Sequence, residues 1–503
     1  MDQESVGVIR PSRFPGAIRL RGLLPGPLAL LLLLTPTFLP AQVIPDTTGA
    51  VPDSVRIMTP DDTLEGEEPQ ADTINPQDTL PAVQPPALRP PVPAGWETGI
   101  WEWDREGILA SRAVSLVELL GEIPGMVLLR GGDYGMPATV SAFGAGGGRI
   151  RVFRDGIELL PLEGSTPDLS RVGLGGLRSV RVVRSVTGIR VELESVLAEG
   201  GRPYSLVEAG TGDLNSNLFR GTFSHPRAFG GVFVFSMQRL DTRGPRGQEP
   251  GVGQGAWVRY ARPLPWDGAF IAEYGSRSSD RGEFYSPGKA SRSDWSARAR
   301  WTLLPGLVGD LSYASSSINT EKPDTFDFEP GSRTQLSAIL GYESEWIAGL
   351  ARLRKLSGEG IPGSSAHLEA RGILGRFGGV SAETTWESWD GESVRRDRLR
   401  AWTAPFLGLS LFYERGSGDW GLPFLPGVSP EVPDQEDGAP DDPQDDPPPE
   451  TFPALVPGPR FSGQEGSRFG ARFEWKGLSL AGALLETSAD SLFLLGLPTD
   501  RGG

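Results

Sequence analysis

The chain has 503 residues, 38% of them hydrophobic, with 13 Trp, 22 Phe and 8 Tyr, which excludes global disorder and allows a large folded core. Its 68 Gly and 46 Pro favour many turns and short strands over long helices, and the absence of cysteine excludes disulfides, thiolate metal sites and a cysteine nucleophile. The formal charge of −16 is confined to two segments: residues 43–95 carry nine carboxylates against Arg56 and Arg89, and residues 431–450 carry nine with no base. The rest of the chain is balanced, so no nucleic-acid partner is expected.

In chain order, Arg10, Arg13, Arg19 and Arg21 precede the apolar run Leu28 to Leu34, and Pro40-Ala41-Gln42 follows. This is the layout of a secretory signal peptide over residues 1–42, and the run is shorter than the ~20 residues a spanning helix needs. No later stretch is long and apolar, so a membrane location requires a β-barrel. Residues 43–95 are rich in Pro, Asp, Thr and Gln and read as a disordered linker. Within it Asp53, Ser54, Val55, Arg56, Ile57 and Met58 form a short β-prone patch able to pair with the edge of a partner's sheet.

From Trp96 to residue 203 the composition is that of a small α+β domain. Ser115-Leu-Val-Glu118 has the spacing of a capping box before one short helix, which Pro124-Gly125 ends. Strands are expected at Met126 to Leu129, Arg149 to Arg154 and Val180 to Val183. Gly144-Ala-Gly-Gly-Gly-Arg149 precedes a strand, the reverse of a dinucleotide fingerprint, and Asp155-Gly156 reads as a structural turn.

Beyond residue 204 the period becomes two. Trp295, Ala297, Ala299 and Trp301 alternate with Ser296, Arg298 and Arg300, and Phe469, Ala471, Phe473 and Trp475 alternate with Arg468, Arg472 and their neighbours. One apolar, aromatic face over segments of roughly 9 to 11 residues is the pattern of transmembrane barrel strands. Pro305-Gly306 is a tight link, whereas 276–294, 316–333 and 423–467 are long and polar, matching the short turns and long loops of outer-membrane barrels. The acidic stretch 431–450, with six prolines and no spaced calcium-loop pattern, reads as a disordered outside loop.

The stretch Ser115 to Ser185 resembles the plug domain of TonB-dependent outer-membrane receptors. The resemblance lies in Leu116 to Leu120 with Ile123-Pro-Gly-Met-Val127, in Val152-Phe-Arg-Asp-Gly-Ile157, and in Asp168-Leu-Ser-Arg-Val172 with Leu177 to Arg184. It implies a plug followed, over 204–503, by an antiparallel transmembrane β-barrel. Roughly fifteen candidate strands are fewer than the twenty-two that the family implies, and Asp500-Arg-Gly-Gly503 lacks an aromatic end, so a reduced or incomplete barrel is expected.

The resemblance further implies energy-coupled uptake of a small solute across the outer membrane of a Gram-negative-type bacterium. The partners would be a TonB-like energy-transducing complex, outer-membrane lipids and a surface lipoprotein. Asp53 to Met58 would be the energy-coupling box, and Asp133 and Tyr134 on the loop Gly131 to Gly135 would face the ligand, as would the barrel loop Ser276 to Arg292. The alternative is a non-transporting outer-membrane binding or structural protein with a plug-like domain. No constellation with catalytic or metal-ligand spacing is present, so no enzyme, cofactor or metal is expected.

Overall fold

The computed structural model describes residues 99–130, 138–142, 149–162, 168–198, 202–212, 215–243, 251–280, 289–320, 331–358, 361–389, 391–421 and 461–489. The expected leader, linker, coupling box, Asp133, Tyr134 and the acidic loop lie outside these residues.

The first body is a small α+β domain. Its strands are β1 (Ile100–Trp103), β2 (Met126–Arg130), β3 (Ala138–Ala142), β4 (Ile150–Arg154), β5 (Ile157–Glu158), β6 (Leu177–Arg184) and β7 (Ile189–Ser195). Five of them form one sheet in the order β1-β6-β7-β4-β5, with β4 and β7 parallel, and β2 pairs with β3 alone. Ile150, Val152, Val180, Val182 and Val191 alternate along these strands and bury one face against Leu116, Leu119 and Leu120 of helix α2 (Leu116–Gly121). That shared apolar face is the domain's core.

Among the described residues there are two α-helices where the sequence pattern predicts one. The additional α1 (Arg105–Ala110) starts at Asp104, whose side chain accepts from the Gly107 amide at 2.8 Å, and it buries only Ile108. So short a helix offers no periodic stripe to read. At the start of α2 the capping box closes differently. Ser115 makes no side-chain cap, while Glu118 Oε2 accepts from the Val114 amide at 2.7 Å, one residue before the expected donor.

The second body is a fifteen-stranded antiparallel sheet in strict sequence order, from β8 (Tyr204–Gly212) to β22 (Leu478–Ala489). Every neighbour is the next strand in the chain, the up-and-down topology of membrane barrels. Connections alternate. At one end sit the two-residue turns Phe229-Gly230, Pro305-Gly306 and Lys476-Gly477; at the other lie the long connections 243–250, 281–288, 321–331 and 422–460. Positive φ at Phe229 (52°), Gly230 (76°), Lys476 (45°) and Gly477 (86°) gives these turns the twist that paired strands need.

The three expected loops 276–294, 316–333 and 423–467 are all shortened, because strand pairing continues past the apolar segment and β21 (Phe461–Trp475) already begins within the third. Tyr274 to Asp280 pairs in register with Trp295 to Lys289, so Ser276 and Arg292 lie in strands. Strand β13 (Lys289–Leu304) shows why: from Trp295 to Leu304 the outward side chains are apolar, and nine residue steps at ~3.3 Å and ~40° tilt span roughly 23 Å, about the thickness of a barrel's lipid-facing band. The six residues before Trp295, all polar but Ala290, extend the strand beyond that band. At the short-turn end Phe229 and Trp266, 89% and 87% exposed, mark its other rim.

Candidate functional site: the interface between plug and barrel wall

The inward face of the large sheet is polar and unusually rich in arginine. Arg220, Arg259, Arg292, Arg298, Arg333, Arg352, Arg354, Arg396, Arg400 and Arg468 are all buried, on strands whose outward positions include Tyr260, Trp295, Leu336, Leu353, Leu399 and Phe469. These arginines are covered by the small α+β domain, and the contacts between the two bodies are the site.

The hairpin β4-β5 carries the densest set. Asp155 (φ 49°) and Gly156 (φ 87°) form its two-residue turn, the Asp-Gly turn of a tight hairpin, with Arg154 paired to Ile157. The turn is also an anchor. Asp155 Oδ1 accepts from the Ser195 amide at 3.0 Å, Oδ2 accepts from Arg259 Nη1 of the wall at 2.9 Å, and the Asp155 carbonyl accepts from Arg298. Burial pushes the carboxyl up, but Arg259, the Ser195 amide, Arg298 and Arg154 together outweigh it and hold Asp155 at about 2.

On β4 of the same hairpin, Arg151 pairs with Glu387 of the wall and lies 3.6 Å from Glu158. Glu158 in turn pairs with Arg354, and its backbone carbonyl accepts from Gln335 Nε2 at 2.7 Å. Burial favours the neutral form of Glu158, yet Arg151 and Arg354 hold it below the ordinary carboxylate range. Glu387 is fully buried and also accepts from Arg396 Nη2 at 2.8 Å, so one carboxylate joins a plug cation to a wall cation. Arg154 completes the group, donating to Ser195 Oγ at 3.0 Å and stacking 4.2 Å from the Trp257 ring centre.

The turn between β6 and β7 makes the second contact. The Val186 amide donates to Glu414 Oε1 at 3.1 Å and the Val186 carbonyl accepts from Gln464 Nε2 at 3.1 Å. Arg468 holds the other Glu414 oxygen at 2.7 Å. Near the start of the domain Arg220 Nη2 donates to the Ala113 carbonyl at 3.0 Å, and Arg292 Nη1 donates to the Leu160 carbonyl at 3.2 Å. Between these contacts a cavity of about 90 Å³ remains, bordered by Arg151, Phe153, Arg190, Arg352 and His367.

Most of these links are ionic or polar. Apolar contact is added where Leu160 packs with Leu356 and Ile361 of the second body. Among the described residues no cluster of three or more potential metal ligands occurs. The sequence reading placed Asp155 and Gly156 at a turn but gave Asp155 no partner. It also missed Arg259, Glu387 and Glu414, whose only signal is a charge on the polar side of an alternating strand.

No family model matches the sequence, and no curated protein matches it. Solved structures do match. The siderophore receptor PirA of Acinetobacter baumannii aligns over 78% of this chain and 70% of its own, with a TM-score of 0.58 at 9% identity. A mutant of the ferric enterobactin receptor PfeA of Pseudomonas aeruginosa aligns over 78% and 71%, at 0.58 and 12%. The copper transporter OprC aligns over 76% and 71%, at 0.53 and 11%. The chain has the fold of a TonB-dependent outer-membrane receptor. In that fold the α+β body corresponds to the plug and the fifteen-stranded sheet to the barrel wall, and the ionic contacts described above join the two.

Proposed function

We propose that the protein is an outer-membrane receptor that takes up a scarce solute through a plugged β-barrel, driven by a TonB-like energy-transducing complex. The observation that carries this reading is the seating of the plug. Arg151, Asp155 and Glu158 on one hairpin meet Glu387, Arg259 and Arg354 on the wall, a polar latch that a mechanical pull can open. Residues 1–42 serve as the export signal, 43–95 as a tether reaching the energy-transducing complex, 96–203 as the plug and 204–503 as barrel strands. Asp53 to Met58 is the segment the transducer grips, by adding a strand to its sheet. Asp133 and Tyr134 face the solute from the plug side, and a surface lipoprotein is a candidate partner at the long loops.

The test is co-purification of the full chain with the soluble domain of a TonB-type transducer, comparing wild type with a chain lacking residues 53–58. Retention that depends on the segment supports coupling. Equal retention, together with no energy-dependent accumulation of a panel of labelled metal chelates by either the wild-type chain or one lacking 43–60, favours the non-transporting binding protein instead.

A further inference from the structure

We propose that the cavity between plug and wall is a site for one small inorganic oxoanion, of the sulfate or phosphate type, held by Arg352 of the wall and Arg190 of the plug. This site depends on the contact between the two bodies and not on transport.

The floor of the cavity is a single row of the wall. Arg352 on β16 (Ile347–Ser357) pairs in register with His367 on β17 (Ser364–Ile373), His367 with Thr385 on β18 (Gly378–Trp389), and Thr385 with Arg396 on β19 (Glu392–Thr403). All four face inward and are buried, and no carboxylate stands in the row. The plug covers it with a second pair of cations, because β4 and β7 run parallel with Arg151 beside Arg190. The Arg190 guanidinium lies 4.5 Å from the Phe153 ring centre and that of Arg352 5.3 Å from the same centre. A plug cation and a wall cation thus approach within about 10 Å, in a buried place that salt screens poorly.

The surrounding carboxylates do not neutralise Arg352. In the row towards the long loops Glu387 pairs with both Arg151 and Arg396, and Glu158 of the plug with Arg354 and Arg151. In the row towards the short turns Glu383 pairs with Arg398, while Glu369 interacts with Arg398, Arg400 and Arg190 and lies 4.0 Å from His367 Nε2. Glu192 holds Arg190 at 2.8 Å. Asp397 belongs to the outer face, where Arg395 holds it at 2.8 Å, and Arg400 and Arg468 share Glu414 further along the wall. Six guanidinium groups border the cavity against these five inward carboxylates, Glu158, Glu192, Glu369, Glu383 and Glu387. Among the described residues Arg352 is the cation left over: it is only 5% exposed, it has no ion pair or hydrogen bond, and its Nε is fully buried.

A buried guanidinium without a partner is costly, and a small anion beside it removes the cost. The cavity of about 90 Å³ has the liquid volume of roughly three waters, enough for one sulfate and too little for a metal chelate. The planar fork of Arg352 suits two oxygens of an oxoanion better than it suits a spherical halide, and Arg190 supplies the opposite contact. The bound ion thereby ties plug to wall where two like charges otherwise repel.

For the test, the full chain in detergent is equilibrated in sodium gluconate, whose anion is too large for the cavity, and titrated with sodium sulfate or sodium chloride at constant ionic strength. Equilibrium dialysis of labelled sulfate reads binding, and hydrogen exchange of the β4 and β7 amides reads the seating of the plug. Wild type should bind one sulfate per chain, with exchange in β4 and β7 slowed roughly tenfold at saturation and chloride without that effect. Arg352→Gln should weaken sulfate by roughly tenfold or more and abolish the slowing. In gluconate its β4 and β7 amides should exchange no faster than those of wild type, since an unpaired buried charge has been removed. Arg352→Lys, which keeps the charge without the fork, should fall between the two. No saturable sulfate binding, equal slowing by chloride, or an Arg352→Gln chain that still responds to sulfate would overturn the site. Faster exchange of Arg352→Gln in gluconate would overturn it as well, by showing that Arg352 has a structural partner. No solute or transducer takes part, so loss of the uptake reading leaves these outcomes unchanged.

Discussion

Replacing Asp155 by Asn isolates the charge of the latch from its geometry. Asn adopts positive φ readily, so the backbone at 49° is not strained, and its side-chain oxygen can still accept from the Ser195 amide. What is lost is the anion facing Arg259 and Arg298. The carboxyl sits at about 2 against an ordinary value of 3.8, and at ~1.36 kcal/mol per unit that difference contributes about 2 kcal/mol to the seated plug at neutral pH.

The sign follows from the depressed value. The contribution is complete above the unfolded value near 4 and is lost as pH falls through about 2. Urea titration of the full chain, followed by hydrogen exchange of amides in β4 to β7, reads the plug separately from the wall. Wild type should lose about 2 kcal/mol of plug stability between pH 5 and pH 2 through this group, and Asp155→Asn should start lower by a similar amount and lack that component. A variant with the same acid profile as wild type would refute the claim that Asp155 latches the plug electrostatically.

Other consequences are equally direct. Glu387→Gln leaves Arg151 and Arg396 buried around an uncharged group and should destabilise plug seating by ~3–5 kcal/mol, read by the same exchange experiment. Leu311→Arg places a charge on the lipid-facing side near mid-band and should cost ~2–4 kcal/mol in vesicle refolding, whereas Ser312→Asn on the inner side of the same strand should not alter insertion. At Gly188 a Cβ would come within 2.7 Å of the Arg149 carbonyl, so Gly188→Ala should shift the β6-β7 turn and lower the plug's melting temperature, measured by calorimetry.

The barrel was legible in the sequence because its signal is local: one apolar residue in two, over and over, with tight turns between. Trp295 to Trp301 shows it within seven residues. Helix α1 and the strands β3 and β7 were not found. Helix α1 is a single capped turn or so, and the charges of Ile189 to Ser195 alternate like those of a barrel strand although the segment pairs with β4 inside the plug. The latch was the least legible part. Asp155 and Arg259 are 104 residues apart, and Arg151 and Glu387 are separated by 236. Parity alone says that Arg259 and Glu387 face inward; which plug group each meets is set by how the plug sits in the wall, and that is tertiary.

The decisive property is whether the β4-β5 hairpin meets the wall in the membrane and leaves it when the chain is pulled. The chain has no cysteine, so the pair Asp155→Cys and Arg259→Cys can be joined by a short thiol cross-linker without background. Cross-linking should be efficient in isolated outer membranes and should fall when an energised transducer is present. Free alkylation of both thiols by a water-soluble maleimide, with no cross-link under either condition, would contradict it.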